Sequence, residues 1–273
     1  MQFSRWVFTL MCVCCCLAEG VTAEPTKRTS YPVPPKNGGI YVVAHRGVHK
    51  GIPENTLAAY QQAIDLGADF VEIDLRTTKD GHFVSIHNRT VDAYLGDGTT
   101  GNVSEFTLAE IKAFDIGSRI DSKWKNERVP TLDEILTLCR GRIGIYLDLK
   151  EASIPEVAKK LQEHNMERHV VWCVGPDLVA PIRKACPSCI PMPDPVPGES
   201  LEAMLKATQP TVVAPVWNDF TATFSDTCHR AGAIVIVDEQ TSTPENWNQA
   251  LDWKADGIQT DDPAGLIEYL RER

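Results

Sequence analysis

The chain has 273 residues, 43% of them hydrophobic, which suits one large globular domain or two small ones. Its formal net charge of −10 argues against a nucleic-acid surface, yet a few local cations and a metal can still dominate a pocket for an anionic ligand.

Taken in order, the chain opens with Arg5, an apolar run from Trp6 to Ala18, and small residues at Val21-Thr22-Ala23. This reads as a signal peptide over residues 1–23, too short in its apolar part to span a bilayer, so the protein is expected to be exported, periplasmic or extracellular. Residues 24–39, rich in Pro and Lys, read as a flexible lead-in, and residues 40–273 as the folded domain. Strand-like and helix-like segments then alternate, which predicts a parallel α/β sheet. The expected strands are Ile40–Ala44, Phe70–Leu75, Phe83–His87, Ile143–Leu149, Val170–Val174, a segment near Ile190, Val212–Ala214, Ile234–Val237 and Gly257–Thr260. Between them lie helices at Asn55–Leu66, Thr107–Ala113, Thr131–Cys139, Pro155–Glu163, Leu178–Ala185, Glu199–Ala207, Phe220–Ala231 and Pro244–Leu251, with a further one closing the chain. Thr131 and Glu134 have the spacing of a capping box. Pro191–Pro197 reads as a loop. Nine strand candidates for eight places favour a TIM-type (β/α)8 barrel with one strand outside, and the segment near Ile190 is the weakest. Only the turn Thr78-Lys79-Asp80-Gly81 separates the second and third strands, too short for a crossover helix if they pair in parallel, so an extended turn replaces that helix.

Three of the early strands end in ionisable residues: His45 and Arg46, Glu72 and Asp74, and His87. In a parallel barrel the C-terminal strand ends converge on one face, where chemistry is placed. Glu72 and Asp74 are two apart on one strand and therefore share a face. Two acids inside an apolar run repel unless a cation sits between them, and carboxylate ligation suggests a hard ion, Mg²⁺ or Ca²⁺. Asp148 and Lys150 are likewise two apart on the fourth strand. Five cysteines follow residue 23: Cys139, Cys173, Cys186, Cys189 and Cys228. The Cys186-Pro187-Ser188-Cys189 pair reads as a local disulfide or ordinary thiols, and no second pair stands at zinc spacing.

These residues resemble the glycerophosphodiester phosphodiesterases of the phospholipase-C-like phosphodiesterase superfamily. The resemblance rests on His45-Arg46-Gly47, Glu54-Asn55-Thr56, Gly67-Ala68-Asp69, Glu72-x-Asp74, Thr78-Lys79-Asp80-Gly81, His87, Val129-Pro130-Thr131-Leu132-Asp133-Glu134, Asp148-Leu149-Lys150 and Ala255-Asp256-Gly257-Ile258-Gln259-Thr260-Asp261. It implies a barrel that hydrolyses small glycerophosphodiesters to glycerol 3-phosphate and an alcohol, in lipid catabolism. His45 and His87 would act as base and acid, Arg46 and Lys150 would hold the phosphate, and Glu72, Asp74 and Asp148 would hold the metal. Glu54 is read either as a second-tier ligand or as a bystander to helix capping by Asn55.

Three departures stand out. The residue after His87 is Asn88 where the family has aspartate, the third metal acid is Asp148 where glutamate is common, and Ile236-Val237-Asp238-Glu239 replaces a Trp-Thr-Val-Asn-like segment that shapes the substrate pocket. Trp217 is read as packed. His49, His82, His164, His169 and His229 are read as surface or helix residues, and Asp261-Asp262-Pro263 as turn chemistry. A phospholipase C- or D-like activity on intact lipid would need an exposed apolar rim, and no amphipathic basic helix supplies one. A barrel that binds phosphoesters without turnover would have no use for both histidines and all three acids.

Overall fold

A computed structural model describes residues 33–273. The expected signal peptide, with Cys12, Cys14, Cys15 and Cys16, lies outside the described residues, as do residues 24–32 of the expected lead-in. Of the rest of that lead-in, Lys36 and Asn37 are tied down: the Lys36 backbone N–H and the Asn37 amide both donate to the Asp69 carboxylate, at 2.9 and 3.2 Å.

Eight parallel strands form the barrel. They are β1 (Tyr41–Ala44), β2 (Phe70–Thr77), β4 (Gly144–Glu151), β5 (Val170–Val174), β6 (Ile190–Pro193), β7 (Val212–Val213), β8 (Ile234–Asp238) and β9 (Gly257–Thr260), in the order β6-β5-β4-β2-β1-β9-β8-β7. The ring is nearly closed, because the Ala214 N–H just after β7 donates to the Pro193 carbonyl at the end of β6, at 3.4 Å. The ninth strand, β3 (Phe83–Ser85), pairs antiparallel with β2 as a hairpin and is not a stave.

The barrel stands as expected, but the odd strand is not the one the sequence favoured. A four-residue turn cannot carry a parallel crossover, so β3 folds back on β2 and leaves the barrel place to β4. No crossover helix is then missing, since α3 (Leu132–Cys139) lies between the staves β2 and β4. The segment near Ile190 is a true stave, and Pro191 and Pro193 belong to β6 and not to a loop.

Alternation along the strands splits the apolar residues into two layers. Tyr41, Val43, Phe70, Tyr146, Val171, Met192, Val212, Ala214, Ile234 and Ile236 pack together inside the barrel. Their neighbours in sequence, such as Val42, Ala44, Val71, Ile73, Ile145 and Leu147, pack outward against the helices. Gly144 makes room in the inner layer, because a Cβ there would stand 2.6 Å from the Phe70 ring.

The surrounding helices are α1 (Leu57–Leu66), α3, α4 (Ile154–Glu163), α5 (Val179–Ala185), α6 (Leu201–Thr208), α7 (Ala222–Arg230), α8 (Pro244–Asp252) and α9 (Pro263–Glu272), with α2 (Leu108–Ala113) in the excursion between β3 and α3. That excursion has its own small core of Val84, Ile86, Val91, Tyr94, Val103, Ile111, Ile116 and Val129. It holds the exit of β3, and therefore His87, over the barrel mouth. Thr131 caps α3 in the expected capping box with Glu134.

Candidate active site

The C-terminal ends of the staves surround a cavity of about 380 Å³ lined by His45, Arg46, Glu72, Asp74, His87, Asp148 and Lys150, among others. Seven of the eight residues singled out in the sequence thus share one pocket. The eighth, Glu54, stands behind Arg46: its two carboxylate oxygens each accept from the guanidinium at 3.3 Å. The capping side chain of α1 is Thr56, and Asn55 does something else, described below.

Glu72 and Asp74 are almost wholly buried, and with the half-buried Asp148 they offer oxygens that all lie within 4.8 Å of one another. Burial, then the charges of Asp74 and Asp148, push the Glu72 carboxyl well above the usual carboxylate range. An all-oxygen set of this kind, three acids crowded together with two of them buried, fits a hard divalent ion. Each acid is also oriented. The Arg46 backbone N–H donates to Glu72 Oε2 at 2.8 Å, and the Asn55 amide donates to Asp74 Oδ2 at 2.8 Å. Asn55 is itself fixed, since its Oδ1 accepts from the Tyr60 and Ser85 hydroxyls.

The turn after β1 makes the Arg46 contact possible. Arg46 adopts a left-handed backbone with φ of +52°, unusual for a side chain of this size. Gly47 follows at φ +76°, where a Cβ would stand 2.8 Å from the backbone of Ala59, so only glycine fits the close approach to α1. Burial opposes the charges of Arg46 and Lys150. Glu54 and Asp74 outweigh it at Arg46, as do Asp148 and Asp74 at Lys150, so both pKa values rise and both side chains remain cationic. Lys150 Nζ stands 2.5 Å from Asp148 and 3.4 Å from Asp74.

The two histidines are held alike but by different partners. His45 Nδ1 bonds Asp261 Oδ1 at 2.6 Å. Burial works to raise the Asp261 carboxyl, but His45, His49 and Arg46 outweigh it and hold it below the usual carboxylate range. An ionised carboxylate only accepts, so Nδ1 is the donor, and it is Nε2 that bears the lone pair whenever the ring is neutral. His87 Nδ1 bonds the Asn88 amide oxygen at 2.9 Å, so the asparagine orients its histidine without charge.

Several site residues escaped the sequence. Asp261 was read as turn chemistry, and it is the partner of His45. Its backbone N–H donates to Ser242 Oγ, in a loop whose backbone the buried Glu239 carboxylate binds. His49 is not a free surface residue, for its Nε2 lies 3.6 Å from Asp261 and its Nδ1 bonds the His45 carbonyl. Asp194, Asp238 and Gln259 line the far wall of the cavity. Burial, then Asp148 and Asp238, push the Asp194 carboxyl up to about 6. The one signal that could have found them is position, since Asp194 and Asp261 each directly follow a stave and Asp238 ends one. Cys173 also lines the cavity, but burial raises its thiol well above the ordinary range and leaves it neutral, so it is no nucleophile. Trp217 stacks on Trp253 away from the cavity.

Residues 45–177 match the glycerophosphoryl diester phosphodiesterase family. The chain is 41% identical over 137 residues to a glycerophosphodiester phosphodiesterase of Caldanaerobacter subterraneus, a match covering 48% of this chain and 56% of that protein. It is 36% identical over 129 residues to the mouse glycerophosphodiester phosphodiesterase 1, covering 46% and 38%. The chain thus spans about half the length of the curated relatives it matches. Among solved structures, a glycerophosphodiester phosphodiesterase from Agrobacterium tumefaciens superposes with a TM-score of 0.76 at 25% identity, over 84% of this chain and 99% of that one. An Oleispira antarctica phosphodiesterase bound to sn-glycerol-3-phosphate has the same barrel, with a TM-score of 0.76 at 21% identity over 85% and 97%.

Proposed function

Since the chain belongs to the glycerophosphoryl diester phosphodiesterase family, we propose that it hydrolyses glycerophosphodiesters to glycerol 3-phosphate and an alcohol, with His45 and His87 as the acid–base pair. The observation that carries this reading is that both histidines, both cations and the three-acid cluster line one cavity.

Glu72, Asp74 and Asp148 would hold a divalent ion, Mg²⁺ or Ca²⁺, which would supply positive charge to offset that building on the phosphoryl oxygens. Arg46 and Lys150 neutralise and orient the phosphate with charge-assisted hydrogen bonds. His45 Nε2 takes a proton from the attacking water as its oxygen forms the new P–O bond, and Asp261 stabilises the positive charge that appears on the ring. His87 gives a proton to the departing alcohol oxygen as the old P–O bond breaks. The neutral Asn88 orients His87 through its amide oxygen.

The test is to incubate the purified protein with glycerophosphocholine and glycerophosphoethanolamine, adding Mg²⁺, Ca²⁺ or a chelator. Metal-dependent release of glycerol 3-phosphate is expected, and it should fall by roughly 10²–10⁴-fold in His45→Ala and in His87→Ala. Release that survives both substitutions would sink the two-histidine assignment. Release only from lipid vesicles would move the substrate to intact lipid.

Export to an oxidising compartment is also proposed. It is supported by the Cys186–Cys189 disulfide, a linkage that persists outside the reducing cytosol. Among the described residues no helix is long and apolar enough to cross a membrane. Fractionation of the producing cell should find the protein outside the cytoplasm with residues 1–23 removed. Recovery from the cytosol with an intact N-terminus would refute it.

A further inference from the structure

The part of the barrel mouth remote from β2 is built differently from the catalytic part. Asp194 directly follows β6, Asp238 ends β8, and Gln259 on β9 is paired in register with Asp238. All three line the cavity. Among the described residues, no lysine or arginine forms an ion pair with Asp194 or Asp238. The cavity's two cations are engaged elsewhere, Arg46 by Glu54 and Asp74, and Lys150 by Asp148 and Asp74. Asp238 receives only neutral donors, the amides of Gln259 at 2.7 Å and of Gln240 at 2.9 Å. Gln259 is 4% exposed, and its Oε1 has no hydrogen-bond partner. A buried amide oxygen without a donor is costly, so a native site that keeps one is built to receive a donor from elsewhere. What these three side chains leave without a cation or a donor is therefore two carboxylates and one amide oxygen.

There is room for a ligand group beside it. A second cavity of about 370 Å³ shares Asp148, Lys150, Cys173 and Asp194 with the first and runs on past Gly175 to Pro197. Asp194 stands where the two spaces meet.

We propose that Asp194, Asp238 and Gln259 form a subsite for the alcohol half of the diester, and that it selects a head group carrying a protonated primary amine. This rests on the diesterase reading above and adds the substrate class to it. An ammonium supplies both things the wall lacks, positive charge for two carboxylates and N–H donors for Gln259. A polyol head group could satisfy Gln259 but would leave both carboxylates uncompensated. A trimethylammonium group has charge but no N–H. The aromatic lining residues are His45, His87 and Tyr146, which do not amount to the cage that quaternary ammonium recognition uses.

The experiment compares kcat/KM for glycerophosphoethanolamine, glycerophosphocholine and glycerophosphoglycerol in the full chain and in Asp194→Asn, Asp238→Asn and Gln259→Leu. The unmodified protein should prefer the ethanolamine diester to both others. Each aspartate substitution should lower the ethanolamine-to-glycerol ratio by about tenfold. Gln259→Leu should narrow the ethanolamine-to-choline gap. A ratio that does not move overturns the proposal, whether neither substrate is affected or both lose equally, as they would if the wall held the shared glycerol half. Equal use of the ethanolamine and choline diesters by the unmodified protein overturns it too. Should no diester be turned over, the diesterase reading fails, and the subsite is then tested by calorimetric titration with phosphoethanolamine. Its Kd should rise about tenfold in Asp194→Asn, and failure of phosphoethanolamine to bind would overturn the subsite by itself.

Discussion

At the scale of single residues, the site is a set of groups each held by a named partner. His45 is oriented by Asp261, His87 by Asn88, Asp74 by Asn55, Glu72 by the Arg46 backbone and Arg46 by Glu54. The partner of His45 is charged and that of His87 is not, so the two should respond differently to the same kind of change. Asp261→Asn removes the charge that stabilises the protonated ring of His45, and kcat should fall by roughly 10²–10³-fold with KM little changed. If KM rises and kcat holds, Asp261 positions substrate and not the base. The three acids make a second prediction. An ion that binds only the folded chain stabilises it by mass action, about 2.7 kcal/mol at a hundred times its Kd, so added Mg²⁺ or Ca²⁺ should raise the unfolding temperature. The rise should vanish in Glu72→Gln, and a calorimetric scan with and without chelator reads both.

At the scale of elements, the short turn after β2 decides more than its length suggests. It turns β3 back antiparallel, and the excursion that follows packs its own core and sets His87 above the mouth. The chain then re-enters the barrel through α3, whose start is fixed by reciprocal bonds. Glu134 N–H donates to Thr131 Oγ1 at 3.2 Å, and the Thr131 N–H donates to Glu134 Oε2 at 2.7 Å. Thr131→Ala breaks one half of this box and should cost about 1 kcal/mol of stability, seen as a lower urea midpoint at unchanged slope. No loss would mean that packing of Leu132, Ile135 and Leu136 alone sets the helix start.

At the scale of the whole molecule, closing the barrel gathers carboxylates from distant strands at one mouth. On the far wall, burial and then the charges of Asp148 and Asp238 push the Asp194 carboxyl up to about 6. A carboxyl whose folded pKa lies above its unfolded value binds its proton more tightly when folded. Its ionisation therefore lowers stability as pH rises from about 4 to about 6, and the deficit persists above that. Asp194→Asn removes that cost. It should stabilise the protein at pH 7.5 by up to about 1 kcal/mol, allowing for partial solvent screening, and by nothing near pH 4. Urea unfolding at the two pH values decides, and equal effects at both would show that charge is not the cause. A stabilised Asp194→Asn variant would also show that its altered substrate preference is not a folding defect.

The sequence by itself determined the alternation of strands and helices, the capped start of α3, the shared face of Glu72 and Asp74, and the strand-end placement of His45, Asp148 and Lys150. These depend on local period and on residues close in the chain, where geometry follows from a few dihedral angles. Only the tertiary structure decided which strand lies outside the barrel, that Asp261 meets His45 from 216 residues away, that Asn55 serves Asp74 and not the helix cap, and that Asp194, Asp238 and Gln259 share a wall. Those meetings arise from closing the sheet into a ring, which brings the ends of distant strands together, and no local pattern records which end will face which.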